Sequence, residues 1–290
     1  MLELPRELVL PEGLVPPVPP DPPATPKDAA TVVLARDTAD GIEVFLQRRV
    51  AAMAFAGGMT VFPGGGVDQR DADTSVAWHG PSPDWWAAQF DCTPAMARAL
   101  VCAAVRETFE ESGVLLAGPD PSTVVASSSR YAAARQDLVD RRVSLAQFLA
   151  EAGLVLRADL LRPWAVWVTP LEEIRRYDAK FFFAAMPDGQ LADDSTSEAE
   201  HAHWQRPIEA IEDWKRGECG LLPPTWMTLA ELAEHPTVAS AMAAPRSYEK
   251  IMPKVIREDS TLRVVLPGSP LYDSAAAHLD ARPGDTLEGR

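Results

Sequence analysis

Three glutamates in the middle of the chain are spaced so that one helical turn would bring their carboxylates together. They are Glu107, Glu110 and Glu111, which occupy positions i, i+3 and i+4 of a helix. Like charges at this separation repel one another unless protons or cations neutralise them. Hard divalent cations such as Mg²⁺ prefer oxygen ligands and commonly bind substrate phosphates at the same time. The spacing therefore indicates metal-assisted chemistry on a phosphate ester or anhydride.

Two further features accompany the glutamates. A glycine turn, Phe62-Pro63-Gly64-Gly65, lies some forty residues upstream, and Arg106 directly precedes the first glutamate. Gly64 and Gly65 either let the backbone approach phosphates or serve only to make the turn at the helix entry. Arg106 and Glu110 are i and i+4, so the arginine is expected to orient that carboxylate.

A helix must position these side chains, and the sequence supplies its ends. Thr93 suits the N-cap, Pro94 the first helical position, and Gly113 the left-handed residue just past the end. The residues between would span roughly 28 Å at 1.5 Å per residue. A solvated acidic stripe on a surface helix is the alternative for the glutamates taken alone, and the upstream glycines favour the functional interpretation.

Together these residues resemble the Nudix hydrolase box, G-x5-E-x7-R-E-U-x-E-E-x-G-U, where U is aliphatic. The second half, from Arg106 to Gly113, is intact except that Thr108 stands at an aliphatic position. In the first half, Asp71 replaces the expected glutamate, and the arginine expected at position 79 comes 27 residues later. The delay predicts an insertion between the half-boxes, and neither Asp68 nor Asp71 receives a firm role.

The resemblance extends beyond the box. The segment from Phe45 to Arg49, followed by Gly58 and the glycine turn, looks like the coenzyme A-hydrolysing branch of the family, although Ala54 and Ala56 stand where that branch has Arg and His. The chain is most similar to the peroxisomal-type acyl-CoA diphosphatase subgroup, which also carries a long insertion inside the box. Segments that carry this similarity are Trp167-Val168-Thr169-Pro170, Arg175-Arg176-Tyr177-Asp178 and Leu222-Pro223-Pro224.

The resemblance implies roles for particular residues. Glu107, Glu110 and Glu111 would bind Mg²⁺ or Mn²⁺ and act in catalysis together with Arg106. A further acid outside the box is assigned to Glu198, with Glu200 as the reserve. Both would point to the same side of an extended strand, so the pattern alone does not separate them.

Substrate contacts are assigned to arginines, an aromatic residue and the glycine turn. Guanidinium groups bind phosphate in a fork geometry, so Arg49, Arg175 and Arg176 are candidate phosphate ligands, each alternatively a surface ion-pair partner. Tyr177 could stack on a base. Gly64 and Gly65 complete the set. His201 and His203 are interpreted as structural, because no cysteine pair accompanies them to make a zinc site.

Composition narrows the class of protein and its location. The chain of 290 residues carries a net charge of −15, which disfavours nonspecific binding to nucleic acid or anionic membrane. Its three cysteines cannot all pair within the chain, which is typical of a reduced, cytoplasmic protein. No apolar run approaches twenty residues, and the chain ends in Leu-Glu-Gly-Arg rather than a peroxisomal tripeptide. A homodimer is left open.

The alternation of strands, glycine turn and helix predicts an α/β protein, a Nudix-type α/β/α sandwich with a mixed sheet and two inserted segments. Residues 1–28 are rich in proline and read as an extended arm rather than strand or helix. Residues 29–272 are predicted to form a single domain, with insertions at about 68–97 and 119–160. Residues 273–290 are expected to be weakly ordered.

These observations lead to one leading function and two alternatives. The leading hypothesis is a Mg²⁺-dependent hydrolase of a diphosphate linkage in coenzyme A or acyl-CoA, giving 3′,5′-ADP and (acyl-)phosphopantetheine. The first alternative is a hydrolase of another nucleoside diphosphate-X substrate, such as ADP-ribose, a dinucleotide or a nucleoside triphosphate. The second is a catalytically silent module that binds a nucleotide.

Overall fold

The structure is a computed structural model that describes residues 5–10, 20–53, 56–196, 199–246, 248–258 and 261–272. Its contacts group the chain into two compact units, which are considered separately. The larger unit comprises Asp28–Val166 and Ala179–Glu249, and the smaller unit comprises Met1–Lys27, Trp167–Asp178 and Lys250–Arg290. The predicted single domain over 29–272 stays a prediction, and the predicted tail at 273–290 lies outside the described residues.

Strands in the described residues are, in chain order, β1 (Glu7–Leu10), β2 (Lys27–Thr38), β3 (Gly41–Arg49), β4 (Met59–Val61), β5 (Gly64–Gly66), β6 (Trp78–His79), β7 (Ala117–Gly118), β8 (Val155–Arg157), β9 (Leu161–Val168), β10 (Tyr177–Ala185), β11 (Ala199–Gln205), β12 (Gly220–Leu221), β13 (Lys250–Ile251), β14 (Lys254–Glu258) and β15 (Thr261–Val265). Helices in the same residues are α1 (Pro83–Phe90), α2 (Pro94–Ser112), α3 (Ala132–Val139), α4 (Leu145–Ala152), α5 (Pro207–Lys215), α6 (Pro223–Leu232) and α7 (Val238–Ala243).

The main sheet of the larger unit is mixed. Its strand order is β12-β4-β3-β2-β10-β9, and β11 and β5 pair with β3 and β2 respectively. The β12–β4 pair is parallel, whereas β3 pairs antiparallel with β2, β4 and β11. The run Val32-Val33-Leu34-Ala35 in β2 is fully buried on both faces, which explains why it is continuously apolar rather than alternating.

Helix α2 carries the three glutamates and has the ends that the sequence predicts. The Thr93 hydroxyl accepts a hydrogen bond from the Met96 amide at 3.2 Å, and Pro94 occupies the first position. Gly113 adopts the left-handed conformation (φ 73°), and its amide donates to the Phe109 carbonyl at 2.9 Å. The helix is buried along most of its length, so its backbone is a rigid support for polar side chains near its C-terminal end.

The segment between the two half-boxes contains a helix that the sequence did not indicate. Helix α1 begins after Ser82, whose hydroxyl accepts a hydrogen bond from the Trp85 amide, and ends at a left-handed Asp91. Trp86 is fully buried and stacks on Phe90 with ring centroids 5.9 Å apart, while Trp85 is 41% exposed. Trp86 therefore packs this segment into the hydrophobic core.

The second predicted insertion is largely helical. It contains α3 and α4, and α4 begins with a capping box in which Ser144 and Gln147 bond each other's backbone amides. Strand β8 lies between β6 and β7 in a small separate sheet. This sheet joins the two inserted segments, because β6 comes from the first and β8 from the second.

A strand in the smaller unit corrects the prediction for residues 1–28. Strand β1 pairs antiparallel with β15, which also pairs with β14. Leu8 packs against a small apolar cluster formed by Val255, Leu262 and Val264. The prolines that follow dominated the composition of the arm and masked this short apolar strand.

The described residues answer two questions raised by the sequence, whether a helix spans a membrane and what state the cysteines are in. None of the helices in the described residues is long and apolar enough to cross a membrane. Cys102 and Cys219 are free thiols. Burial raises the pKa of the Cys102 thiol to about 12, so this side chain is a neutral packing group within α2.

Candidate active site

Arg106 is the centre of a buried ion-pair network on α2. Its Nε and Nη2 atoms donate to the two carboxylate oxygens of Asp71 at 3.0 and 2.9 Å, and Nη2 also donates to the Gly66 carbonyl at 3.1 Å. On its other side, Nη1 lies 2.6 Å from Glu107 Oε1 and 3.4 Å from Glu110 Oε2. The predicted contact with Glu110 is confirmed, and the Glu107 contact is shorter.

A short turn positions Asp71 for this contact. Residues Gln69–Ala72 form a single 3-10 turn capped by Asp68, whose backbone amide donates to Asp71 Oδ2 at 2.8 Å. Arg70 donates to both oxygens of the Asp68 side chain, and these hydrogen bonds lower the pKa of Asp68 to about 2. The turn thus holds the Asp71 carboxylate, which is 2% exposed, against the side of α2.

The carboxylates around Arg106 stabilise the protonated form of its guanidinium. Burial disfavours the charged guanidinium, but its hydrogen bonds to Asp71 and the charges of Glu107 and Asp71 outweigh this effect, so the pKa of Arg106 is raised above its ordinary value. Arg106 therefore stays protonated at any pH at which the protein is folded. Its single positive charge faces three carboxylates, which leaves the site with excess negative charge.

The glycine turn approaches the first glutamate closely. A Cβ atom added to Gly65 would lie 2.6 Å from the Cδ of Glu107, and one added to Gly64 would lie 2.5 Å from the Ala30 carbonyl oxygen. Strand β5 pairs with β2 at this point, so the glycine backbone is fixed. A side chain at Gly64 would clash with the β2 backbone, and one at Gly65 would displace the Glu107 carboxylate. Close packing is thus a reason for glycine in addition to the two that the sequence left open, which are approach of the backbone to phosphates and formation of the turn alone.

Glu111 accepts two hydrogen bonds from neutral donors. Its Oε2 atom accepts a 2.6 Å hydrogen bond from the Gln47 side-chain amide and a 2.8 Å hydrogen bond from the Gly64 backbone amide. Gln47 lies on β3 and is 1% exposed. The contact joins the end of α2 to the sheet and to the glycine turn.

The residues fit a divalent cation in donor type and charge. The glutamates supply hard oxygen donors on one helical turn, and Arg106 offsets only part of their charge. Gln47 Oε1 is a buried acceptor with no hydrogen-bond partner in the structure, an arrangement that a cation or an ordered water resolves. Within the described residues, no three acidic, His or Cys side chains are grouped closely enough to form a metal site as they stand. The cause is that Glu107 turns to Arg106 while Glu111 turns to Gln47.

The sequence offers two candidates for the acid outside the box, Glu198 and, in reserve, Glu200. Glu198 lies outside the described residues. Glu200 is exposed on β11, and its carboxylate lies 3.7 Å from Arg48 Nε. The rings of His201 and His203 stack 5.7 Å apart on the same strand, and His203 bonds Gln205. The assignment of Glu198 stays a prediction.

The predicted substrate arginines occupy different parts of the chain. Arg49 is on β3, two residues beyond Gln47, and so projects from the same face of the strand as the side chain that bonds Glu111. Arg175, Arg176 and Tyr177 belong to the smaller unit. There Arg175 is exposed, whereas the Arg176 guanidinium donates to the backbone carbonyls of Thr169, Pro170 and Ala24.

The sequence indicated no firm role for Asp71 and did not single out Gln47, although the structure joins both residues to the polar side chains of α2. For Asp71 the spacing from Gly65 was a usable signal, since it places this acid at the glutamate position of the box, but the long insertion hid its partner. For Gln47 the only signal was a polar residue directly after two apolar residues of the same strand, Phe45 and Leu46.

A cavity of about 540 Å³ lies elsewhere in the larger unit. It is bounded by the ends of β2 and β10 and by Trp204 on β11, with Arg36 stacked over the Trp204 ring at 4.4 Å. None of the predicted site residues lines it. The cavity is therefore distinct from the acidic turn of α2.

Comparison with known proteins identifies the family. The model of the NUDT19 Nudix domain matches residues 87–232, half of the chain. A solved Nudix hydrolase from Alicyclobacillus acidocaldarius is 26% identical, covers 78% of this chain and 99% of its own, and superposes with a TM-score of 0.62. The chain belongs to the Nudix hydrolase family, and it is a hydrolase that acts on diphosphate bonds. The predicted Nudix-type α/β fold is confirmed.

Within that family the similarity is to proteins of the NUDT19 type. The acyl-coenzyme A diphosphatase NUDT19 of Xenopus laevis is 24% identical over 307 residues, which cover 85% of this chain and 80% of the relative. The human protein of the same name is 25% identical, covering 81% and 73%. A Caenorhabditis elegans protein named as a nudix hydrolase is 28% identical over 72% of this chain, which spans 61% of that relative's length.

Replacement of Asp71 tests the buried ion pair with Arg106. Asp71→Ala leaves the Arg106 charge without its bidentate partner, and we expect it to lower the free energy of unfolding by about 3–5 kcal/mol. Asp71→Glu restores a carboxylate and is expected to recover most of that loss. Urea denaturation of the three proteins measures both effects. Equal stability of Asp71→Ala and the unmodified chain would contradict this role of Asp71.

Substitution of the glycine turn tests the approach of Gly65 to Glu107. Gly65→Ala places a methyl group where the Glu107 carboxylate lies, so we expect at least a tenfold loss of hydrolytic rate as that side chain is displaced (on the order of 1.4 kcal/mol per tenfold). Gly66→Ala is the matched control, because a Cβ added there meets nothing within 4 Å. Steady-state kinetics on any accepted diphosphate measures the difference, and similar rates for the two variants would refute it.

Proposed function

We propose that the protein is a Mg²⁺- or Mn²⁺-dependent hydrolase of coenzyme A or acyl-CoA that releases 3′,5′-ADP and (acyl-)phosphopantetheine. The observation that carries the metal-dependent part is the Arg106 network, which holds Glu107 and Glu110 together beside the Gly64-Gly65 backbone. The substrate part rests on similarity to the acyl-coenzyme A diphosphatases of Xenopus laevis and Homo sapiens. A cytoplasmic location stays a prediction.

In the proposed mechanism, Glu107, Glu110 and Glu111 would hold the cation. When bound, a divalent cation would polarise the diphosphate oxygens and lower the pKa of the attacking water. The chain itself fixes the geometry, since Arg106 orients Glu107 and Glu110 while Gln47 and the Gly64 amide orient Glu111. Water adds to one phosphorus as the bridging P–O bond breaks, and the leaving phosphate takes up the electron pair.

Two more residues complete the proposal. Glu198 is proposed as the acid that accepts a proton from the attacking water, with Glu200 as the reserve. Arg49 is proposed as a phosphate ligand, and its position on the same face of β3 as Gln47 supports this role. Arg175 and Tyr177 stay proposed substrate contacts. Arg176 would have to leave the backbone carbonyls it bonds in order to reach a phosphate.

A different nucleoside diphosphate-X substrate is the second candidate. The observation that favours it is sequence-based: Ala54 and Ala56 replace the Arg and His of the coenzyme A-hydrolysing branch. A silent nucleotide-binding module is disfavoured, because the chain retains all three glutamates and Arg106 in a connected network.

Product analysis separates these functions. Mass spectrometry of a panel containing coenzyme A, an acyl-CoA, ADP-ribose, a dinucleotide and a nucleoside triphosphate is expected to give 3′,5′-ADP from the first two only, and only with Mg²⁺ or Mn²⁺. Glu110→Gln should lower turnover by about a hundredfold or more, since it removes a charge needed for the cation while preserving shape. Cleavage of ADP-ribose but not of coenzyme A thioesters would favour the second candidate, and full activity of Glu110→Gln would refute the metal assignment.

Paired substitutions identify the acid outside the box. Glu198→Gln is expected to lower kcat by roughly 10²–10⁴-fold, the contribution typical of a general base, with little change in KM. Glu200→Gln is the matched control, because Glu200 is exposed and close to Arg48. A large loss in Glu200→Gln with none in Glu198→Gln would reverse the assignment.

A further inference from the structure

Gln47 is a buried polar residue whose function the sequence did not indicate. Its backbone is fixed on both sides, because it pairs with Val61 of β4 and with Ala202 of β11. The residue is 1% exposed and belongs to a buried stretch of β3 whose preceding residues, Phe45 and Leu46, are apolar. A buried amide is costly unless it makes hydrogen bonds, so its retention here requires a reason.

The contact that Gln47 makes is to Glu111. Its Nε2 atom donates to Glu111 Oε2 at 2.6 Å, and the Gly64 amide donates to the same oxygen at 2.8 Å. Two donors converging on one oxygen from different elements fix both the position and the plane of the carboxylate. The orientation of its second oxygen, Oε1, is thereby determined by β3 and the glycine turn as well as by α2.

The donor type distinguishes this contact from the Arg106 network. Arg106 brings a positive charge to Glu107 and Glu110, whereas the amide of Gln47 is neutral. A neutral donor orients a carboxylate without cancelling the negative charge that attracts a cation. A lysine or arginine at position 47 would instead compete with the cation for Glu111.

We propose that Gln47 is a positioning residue of the cation site, acting through Glu111 to set its affinity for divalent metal. This inference rests on the proposed function, because it takes Glu111 as a metal ligand. Partners that orient metal ligands typically change metal affinity about 10–100-fold when removed. We therefore expect a loss in that range when the amide donor of Gln47 is lost.

The test uses the full chain and Mn²⁺ itself as the probe. Gln47→Met removes the donor with a side chain of similar length, and Gln47→Leu is a second variant of the same kind. Gln190→Met is the matched control, since Gln190 is 5% exposed and its amide bonds only the backbone of Leu115 and Val125 in the structure. Electron paramagnetic resonance titration measures Mn²⁺ affinity without turnover, and thermal denaturation measures folding.

The expected result is a Mn²⁺ dissociation constant raised by about 10–100-fold in both Gln47 variants and unchanged in Gln190→Met, despite comparable losses of melting temperature. The Mg²⁺ concentration for half-maximal activity should rise by the same factor, with a smaller change in kcat at saturating Mg²⁺. Equal affinity in all the proteins, or an equal loss in Gln190→Met, would overturn the inference.

Two other outcomes are also decisive. If both Gln47 variants fail to fold even at low temperature while Gln190→Met folds, then Gln47 is required for folding rather than for cation affinity, and the inference is overturned. If the unmodified chain itself binds no Mn²⁺, the proposed metal-dependent function fails, and this result is distinct from a failure confined to Gln47.

Discussion

The organisation of the site depends on satisfying one buried guanidinium. Arg106 directs hydrogen bonds to Asp71, to the Gly66 carbonyl and to the two glutamates that follow on its own helix. An arginine keeps its charge, and a buried charge is strongly destabilising when a partner is missing. Arg106 therefore holds three elements in one arrangement, because each supplies a group to which it donates a hydrogen bond. These elements are the turn at residues 69–72, strand β5 and helix α2. The hydrogen bonds of Arg106 thereby position Glu107 and Glu110.

The same requirement accounts for the glycines and for the excess charge. Strand β5 must pass close enough for its carbonyl to reach Arg106, and the Glu107 carboxylate then occupies the space in which a side chain at position 65 would lie. One guanidinium offsets only part of the charge of the acids around it. What remains is a set of oxygen donors with net negative charge, fixed from the helix by Arg106 and from the sheet by Gln47. Such a surface favours a divalent cation over a second arginine, because it can share the cation with phosphate oxygens.

Local patterns in the sequence predicted the parts of the structure that are determined locally. The helix and its acidic turn were predicted correctly, because both depend on neighbours within a few residues. The signals were the caps at Thr93 and Gly113 and the i, i+3, i+4 spacing of the glutamates. The contacts of Asp71 and Gln47 could not be predicted, since they join residues 35 and 64 positions apart. Helix α1 and strand β1 were missed for a different reason. Aspartates, prolines and tryptophans dominate the composition around α1, and prolines follow β1, so each short apolar pattern was obscured. Arg175 and Arg176 were predicted as phosphate ligands from the chemistry of the guanidinium group. The bonds of Arg176 to backbone carbonyls show a structural role that no local pattern indicates.

The central claim is that the turn held by Arg106 is where a divalent cation meets the diphosphate. The most direct measurement is anomalous diffraction at the manganese edge from crystals grown with Mn²⁺ and a non-hydrolysable ADP analogue. We expect anomalous peaks within coordination distance, about 2.0–2.6 Å, of the Glu107, Glu110 and Glu111 oxygens, with the Asp71–Arg106 pair intact. Manganese bound elsewhere in the chain, with these three carboxylates remote from both metal and phosphate, would contradict the account.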